Sequence, residues 1–265
     1  MTVLAVIPAR LGAIRLPNKP LRDLAGAPLI VRVWERVVAM RAADRVVVAT
    51  DSDLVAAAVT RAGGEYVLTR SDHASGTDRV AEAAENPAFR DFDIVVNVQG
   101  DEAFIGEDAV RGAISQVATG RFPLGTAAAM ADAQILDEPG AVKVVCGDDG
   151  RAMYFSRAPI PFLRDPEDRA ARDPLIRLHL GIYAYTRPAL AAWVALPAHP
   201  LELSERLEQL RPLAAGWGMG VAVVAEPPLM GGIDTPVDLE RANALWIVAG
   251  HERSGSRTLL PEVRV

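Results

Sequence analysis

A single cysteine, Cys146, stands in the 265 residues, which rules out an intrachain disulfide, and neither CxxC nor Cys/His zinc spacing occurs. That usage fits a reducing compartment, so a cytoplasmic location is expected. No apolar run approaches the roughly 20 residues of a membrane-spanning helix, and the opening run TVLAVIPA follows no basic segment of the secretory kind. The expectation is a soluble protein. Excess positive charge is missing too: 28 Lys and Arg face 34 Asp and Glu, a net charge of -6, so nucleic acid and anionic membrane are not expected partners. Any anion site must be local. The four histidines, His73, His179, His199 and His251, are scattered, and HExxH, Ser/His/Asp order and a nucleophile elbow are all absent. Hydrolase and metalloprotease chemistry is thereby set aside.

What is present is a chain half of whose residues are hydrophobic, enough for one sizeable core. Short Val-rich runs at 2–8, 45–50, 65–70 and 93–100 are bounded by turn residues, as buried parallel strands are. Between them, Leu29 to Met40, Leu54 to Ala62, Thr77 to Glu85 and Glu107 to Thr119 carry apolar residues at helical spacing. Strand and helix in alternation predict an α/β doubly wound, mostly parallel nucleotide-binding sheet. From Gly125 to about residue 190 the pattern becomes β-rich, with GDDG as a hairpin turn, and predicts an inserted lobe. The first pattern returns in the helix-like SERLEQLR, the strand GVAVVAE and a helix from Thr235 to about Gly250. The expectation is one domain over 1–250 and a C-terminal tail over 251–265.

Open α/β sheets bind ligands beyond the carboxyl ends of their strands, so the residues after each run are the candidates. After the first strand, IPARLGAIRLPNKPL sets Arg10, Arg15 and Lys19 among prolines and a glycine that keep the backbone looped. Three cations at such an edge make an anion cradle, without the GxGxxG or GxxxxGK[ST] patterns. In RSDHASGTDR, Ser75 and Asp78 are spaced as a capping box, while Arg70, Ser75, Gly76, Thr77 and Arg79 offer charge, hydroxyls and close backbone approach to a base and ribose. VVNVQGDEAF ends an apolar strand in Gln99, Gly100, Asp101 and Glu102. Its Asp101 could hold a Mg²⁺–nucleotide complex if another carboxylate converges. Asp234 is that candidate, since in GGIDTPVDLE the helix cap falls to Thr235, with Pro236 and Asp238 completing the first turn. His179 in LHLGIYAY reads equally as a packed strand residue. Glu208 and Gln209 read as the solvated face of a helix, with Glu208 supported by Arg211.

IPARLGAIRLPNKPL, TRSDHASGTDR, VNVQGDEAF, AMYFSRAPIPF, HLGIYAY, LEQLR and GGIDTPVDLE, in that order from about Val3 to Ala244, resemble the 3-deoxy-manno-octulosonate cytidylyltransferases, or CMP-Kdo synthetases. The resemblance implies a fold of the nucleotide-diphospho-sugar transferase type and a homodimer built through the β-rich lobe. It implies transfer of CMP from CTP to the anomeric hydroxyl of a 3-deoxy-2-ulosonic acid, with Mg²⁺ and release of pyrophosphate, in the supply of nucleotide sugar for lipopolysaccharide. By the same resemblance Arg10, Arg15 and Lys19 hold the triphosphate, Lys19 and Arg15 drawing off charge as pyrophosphate leaves. Arg70, Ser75, Gly76, Thr77 and Arg79, together with Gln99, surround the nucleotide. Asp101 and Asp234 carry Mg²⁺, and Gln99, Arg164, His179, Tyr183, Glu208 and Gln209 line the sugar-acid pocket.

The chain departs from the family's usual residues at Ala13 and Ile14, where Ser-Thr is usual, at Ala103 for Pro, at Leu178 for Arg, and at Pro212 directly after LEQLR. Those changes bear on the acceptor. A different acid or phosphonate acceptor, and a protein that binds CTP without chemistry, are the alternative readings.

Overall fold

The structure is a computed structural model that describes residues 1–12 and 15–255, with side chains described up to 246. Ala13, Ile14 and residues 256–265 lie outside the described residues, and with them two of the departures and most of the expected tail.

The first half alternates as its periodicity predicts: β1 (Val3–Ala9), the small ribbon β2 (Asp23–Leu24) and β3 (Ala27–Pro28), α1 (Leu29–Met40), β4 (Arg45–Thr50), α2 (Asp53–Arg61), β5 (Glu65–Leu68), α3 (Gly76–Ala84), β6 (Ile94–Asn97) and α4 (Glu107–Ala118). The second half has β7 (Leu124–Met130), β8 (Lys143–Cys146), β9 (Ala152–Ser156), the short α5 (Arg169–Arg172), β10 (Arg177–Thr186), α6 (Arg187–Ala195), α7 (Pro200–Glu205), α8 (Leu210–Ala214), β11 (Met219–Val224) and α9 (Pro236–Gly255). The main sheet runs β11-β7-β10-β6-β1-β4-β5. All neighbours are parallel except that β10 runs against both β6 and β7.

β1 is central because its side chains are apolar on both faces: Leu4 and Val6, with Val47 of β4, belong to one core, and Ala5 and Ile7, with Val48 of β4, to the other. The first core is closed by α3, α6 and α8 through Val80, Ala83, Leu190, Trp193 and Leu210. The second is closed by α1, α2, α4 and α9 through Val33, Val37, Ala58, Val110 and Leu239. The result is three layers, with the chain leaving β1 toward β4 on one side and returning to β6 on the other. That reversal at β1 opens a crevice beyond the carboxyl ends of β1 and β6.

Three expectations change on contact with the fold. The run at 65–70 forms an edge strand, with Tyr66 and Leu68 exposed. The β-rich stretch is continuous with the main sheet: β7 and β10 are inner strands, and β8 and β9 are attached where Leu178 of β10 pairs with Lys143. SERLEQLR is broken. α7 ends at Arg206, whose φ of 55° is left-handed, and α8 starts at Leu210, so Glu208 and Gln209 lie in a turn. Pro212 sits in the first turn of α8, where its missing N–H costs no helical bond.

Candidate functional site

A cleft of about 610 Å³ opens at the predicted crevice, lined by Arg10, Arg15, Lys19, Ser75, Gly76, Arg79, Gln99, Gly100, Asp101, Glu208 and Asp234 with Pro8, Ala9, Gly12, Pro20, His73 and Ala74. Four loops deliver these groups, and each is shaped by its sequence. The loop after β1 bends through Asn18, at a left-handed φ of 56°, and Pro20, so that Lys19 opens a single 3-10 turn directed at the sheet edge. Gly100 is required where β6 passes β1, because a Cβ there would stand 2.6 Å from the Pro8 carbonyl oxygen. This close approach carries Asp101 to Lys19.

The Lys19 ammonium bridges two carboxylates that are far apart in the sequence, Asp101 and Asp234. It donates to Asp101 Oδ2 in a short contact, and to Asp234 Oδ1 at 2.8 Å, while Arg15 Nη2 meets Asp234 Oδ2 at 2.8 Å. Burial works to lower the Lys19 pKa, but Asp101 and Asp234 outweigh it and the net shift is upward. Asp234 behaves conversely: burial would raise it, and Lys19 and Arg15 hold it below the ordinary carboxylate range. Its carboxylate is free for this because the cap of α9 is made elsewhere. Asp238 Oδ2 accepts from the Thr235 N–H at 2.8 Å, and Thr235 Oγ1 accepts from the Asp238 N–H at 3.2 Å.

Glu102, named in the sequence beside Asp101 but given no role there, is held next to this cluster. Burial first, then the charge of Asp101, pushes its carboxyl up to about 8 against the pull of Lys19. Its only sequence signal was its place beside Asp101.

The start of α3 forms the opposite wall. The Ser75 hydroxyl accepts from the Asp78 N–H at 3.2 Å and the Asp78 carboxylate accepts from the Ser75 N–H at 3.1 Å, the predicted capping box. Thr77 Oγ1 donates to Glu208 Oε2 at 2.7 Å, so Glu208 is turned inward and not solvated. Burial raises the Glu208 pKa against the hydrogen bonds from Thr77 and Ser75. Arg211, expected to support Glu208, instead forms an ion pair with Glu202. Helical spacing misplaced both residues because α7 stops before Glu208 and a new helix, α8, starts between Glu208 and Arg211.

The arginines divide. Arg10 and Arg15 are exposed on the cleft. Arg79 is almost fully buried, donating to Thr69 Oγ1 at 2.5 Å and to Asp51 Oδ2 at 3.2 Å, which makes it an anchor of the wall as well as a source of charge. Arg70 lies outside the cleft, near Asp72 at 3.5 Å and Glu82 at 3.8 Å, in the adjoining hollow over α3 and α6.

Of the six residues assigned to a sugar-acid pocket, Gln99 and Glu208 line the cleft. Arg164 is exposed on the loop after β9, and Gln209 is buried. His179 and Tyr183 are buried, their rings 5.4 Å apart, on the face of β10 that carries Tyr185 and packs against Trp193 of α6. The Thr126 hydroxyl donates to the Ile182 carbonyl at 2.6 Å, so its oxygen accepts from His179 Nε2 at 2.9 Å and the neutral imidazole carries its proton there. Burial lowers the His179 pKa to about 3. Leu178 faces the other core, and Ala103 is wholly buried in it.

Two carboxylates on one cation site, facing three basic residues, have the chemistry of a metal–triphosphate site. A model of cytidylyltransferases matches residues 4–220. The 3-deoxy-manno-octulosonate cytidylyltransferase of Gemmatimonas aurantiaca is 58% identical over 94% of this chain and 95% of that protein. The chain belongs to the 3-deoxy-manno-octulosonate cytidylyltransferase family. Proteins of the same name from Anaeromyxobacter dehalogenans, 48% identical over 92% of this chain and 97% of theirs, and Syntrophobacter fumaroxidans, 46% identical over 91% and 95%, match as well. Among solved structures, CMP:2-keto-3-deoxy-manno-octonic acid synthetase complexed with CTP superposes with a TM-score of 0.85 at 39% identity, covering 94% of this chain and 100% of that one. A cytidylyltransferase from Leptospira borgpetersenii, 14% identical with a TM-score of 0.58 and covering 99% of this chain and 100% of that one, shares the fold.

Proposed function

We propose that this cytidylyltransferase moves CMP from CTP to the anomeric hydroxyl of 3-deoxy-manno-octulosonate, releasing pyrophosphate. The observation that carries the reading is the Lys19 bridge between Asp101 and Asp234 at the sheet edge, opposite Arg10 and Arg15. The acceptor oxygen attacks the α-phosphorus, the bond from that phosphorus to the bridging oxygen breaks, and charge gathers on the departing pyrophosphate. Arg15 and Lys19 stand where that charge can be stabilised. Arg10 holds the phosphates from the side, and no covalent nucleophile is required. The α3 start, with Ser75, Gly76 and Thr77, and the Arg79 anchor shape the nucleotide wall. Glu208 and Gln99 meet the sugar acid.

A Mg²⁺ ion fits this donor set. Asp101 and Asp234 are hard oxygen donors that already converge on one cation, and Mg²⁺ is commonly held by one or two carboxylates with substrate phosphates completing its shell. When bound, it would bring the α-phosphate to the acceptor and increase the acidity of the attacking hydroxyl.

A homodimer through the lobe is supported by large apolar side chains left exposed on it, Met153, Phe162 and Leu175. Cytoplasmic residence agrees with the free Cys146, and no described helix is long and apolar enough to cross a membrane.

The test is pyrophosphate release from CTP with Mg²⁺ and a panel of 2-keto sugar acids. Turnover of 3-deoxy-manno-octulosonate above the others is the expected result; turnover only with other acids or phosphonates would move the acceptor elsewhere. CTP binding with no product from any acceptor would leave a non-catalytic protein.

A further inference from the structure

Asn97 closes β6, whose other residues, Ile94, Val95 and Val96, are apolar and buried. It is itself 1% exposed and lies outside the cleft, yet its Oδ1 accepts a hydrogen bond at 3.1 Å from Nε2 of Gln99, which lines the cleft. With its N–H engaged there, the Gln99 amide turns its Oε1 toward the start of α3, 3.8 Å from where a Cβ on Gly76 would stand. A carbonyl oxygen facing the positive end of a helix is in its favoured orientation, which agrees with the hydrogen bond that Gln99 Nε2 donates to Asn97.

Asn97 is itself held in place. Its side-chain amide meets the hydroxyl of Tyr185 on the neighbouring strand β10, a contact that acts to lower the Tyr185 pKa against burial. Tyr183 is directly opposite Asn97 in the β6–β10 register, and Tyr185 is two residues farther along the same face. With Tyr185 on one side of the amide, the Asn97 Oδ1 is left to accept from Gln99.

We propose that Asn97 is a positioning residue that sets the polarity of Gln99, so that this wall of the cleft offers a carbonyl acceptor and selects a ligand group able to donate a hydrogen bond, a hydroxyl or an amine. The proposal rests on the acceptor reading above for its effect on turnover, but the orientation itself can be read without turnover. Asn97→Leu, and Asn97→Ala in case the larger side chain disturbs the strand, are combined with Gln99→Leu in a double-mutant cycle. Alone, each Asn97 variant is expected to lower kcat/KM for the sugar acid about tenfold, while KM for CTP stays near that of the unaltered protein. In the Gln99→Leu background the same substitution should have no further effect. In parallel, NMR of the Gln99 side-chain amide should show slowed proton exchange in the unaltered protein and fast exchange in both Asn97 variants. Equal losses in the two backgrounds, no loss at all, or unchanged exchange would overturn the proposal. Slowed exchange in a protein that turns over no sugar acid would instead overturn the acceptor reading and leave the orientation standing.

Discussion

Lys19 and Asp234, at opposite ends of the chain, are 2.8 Å apart from Nζ to Oδ1, and the same ammonium also meets Asp101. The contact closes the sheet edge, joining the loop after β1 to the start of α9. On the proposed reading, a triphosphate entering the cleft would draw Lys19 from between the carboxylates and free Asp101 and Asp234 to hold a cation.

Lys19→Met should therefore lower kcat roughly a hundred- to a thousandfold, the range seen when a transition-state charge donor is removed. Steady-state kinetics with saturating CTP check this. The fold should persist, because the site is half open and the remaining carboxylates can be hydrated.

Asp101→Asn and Asp234→Asn should each reduce turnover far more than they reduce CTP affinity measured without metal. Calorimetry of CTP binding with a chelator present, alongside rates with Mg²⁺, separates the two effects. Near-normal rates in both variants would contradict the assignment of these carboxylates.

Thr77→Val removes the hydroxyl that holds Glu208 at 2.7 Å and should raise KM for the sugar acid by about tenfold, with Glu208→Ala costing at least as much. Arg211→Ala, by contrast, breaks the pair with Glu202 and should lower the melting temperature while leaving KM nearly unchanged. Reversed outcomes would restore Glu208 to a solvated face.

His179 gives a pH dependence of stability. Its folded pKa, about 3, is below the ordinary 6.5, so the unfolded chain binds the proton first as pH falls. The stability this group contributes is complete above pH 6.5 and is lost progressively down to about pH 3. Urea unfolding between pH 7 and 4 should show a steeper decline for the unaltered protein than for His179→Gln. Equal slopes would contradict the buried neutral imidazole.

The sheet, its edge and the basic loop after β1 were legible because local signals agreed with the global fold. Val-rich runs, prolines after β1 and a capping box at Ser75 each demand one conformation. Asp234 was legible because Thr235 and Asp238 relieved it of capping. What failed was what depends on distant partners. Arg79 lines the cleft as expected, but Asp51 and Thr69, 28 and 10 residues away, also bury it as an anchor of the wall, which no local signal shows. Glu208 followed helical spacing on paper, whereas the left-handed residue Arg206 stops α7 and turns it inward. Nothing local marks β10 as an inner antiparallel strand, because the turns that surround it look like those of a separate lobe.

The most direct test of the account is the fate of the α-phosphorus. CTP labelled there, incubated with Mg²⁺ and 3-deoxy-manno-octulosonate, should place the label in a sugar-acid ester while label from the γ-position appears in pyrophosphate, in equal amounts. Label remaining in CTP, or released as CMP or CDP without a sugar ester, would contradict cytidylyl transfer at this site.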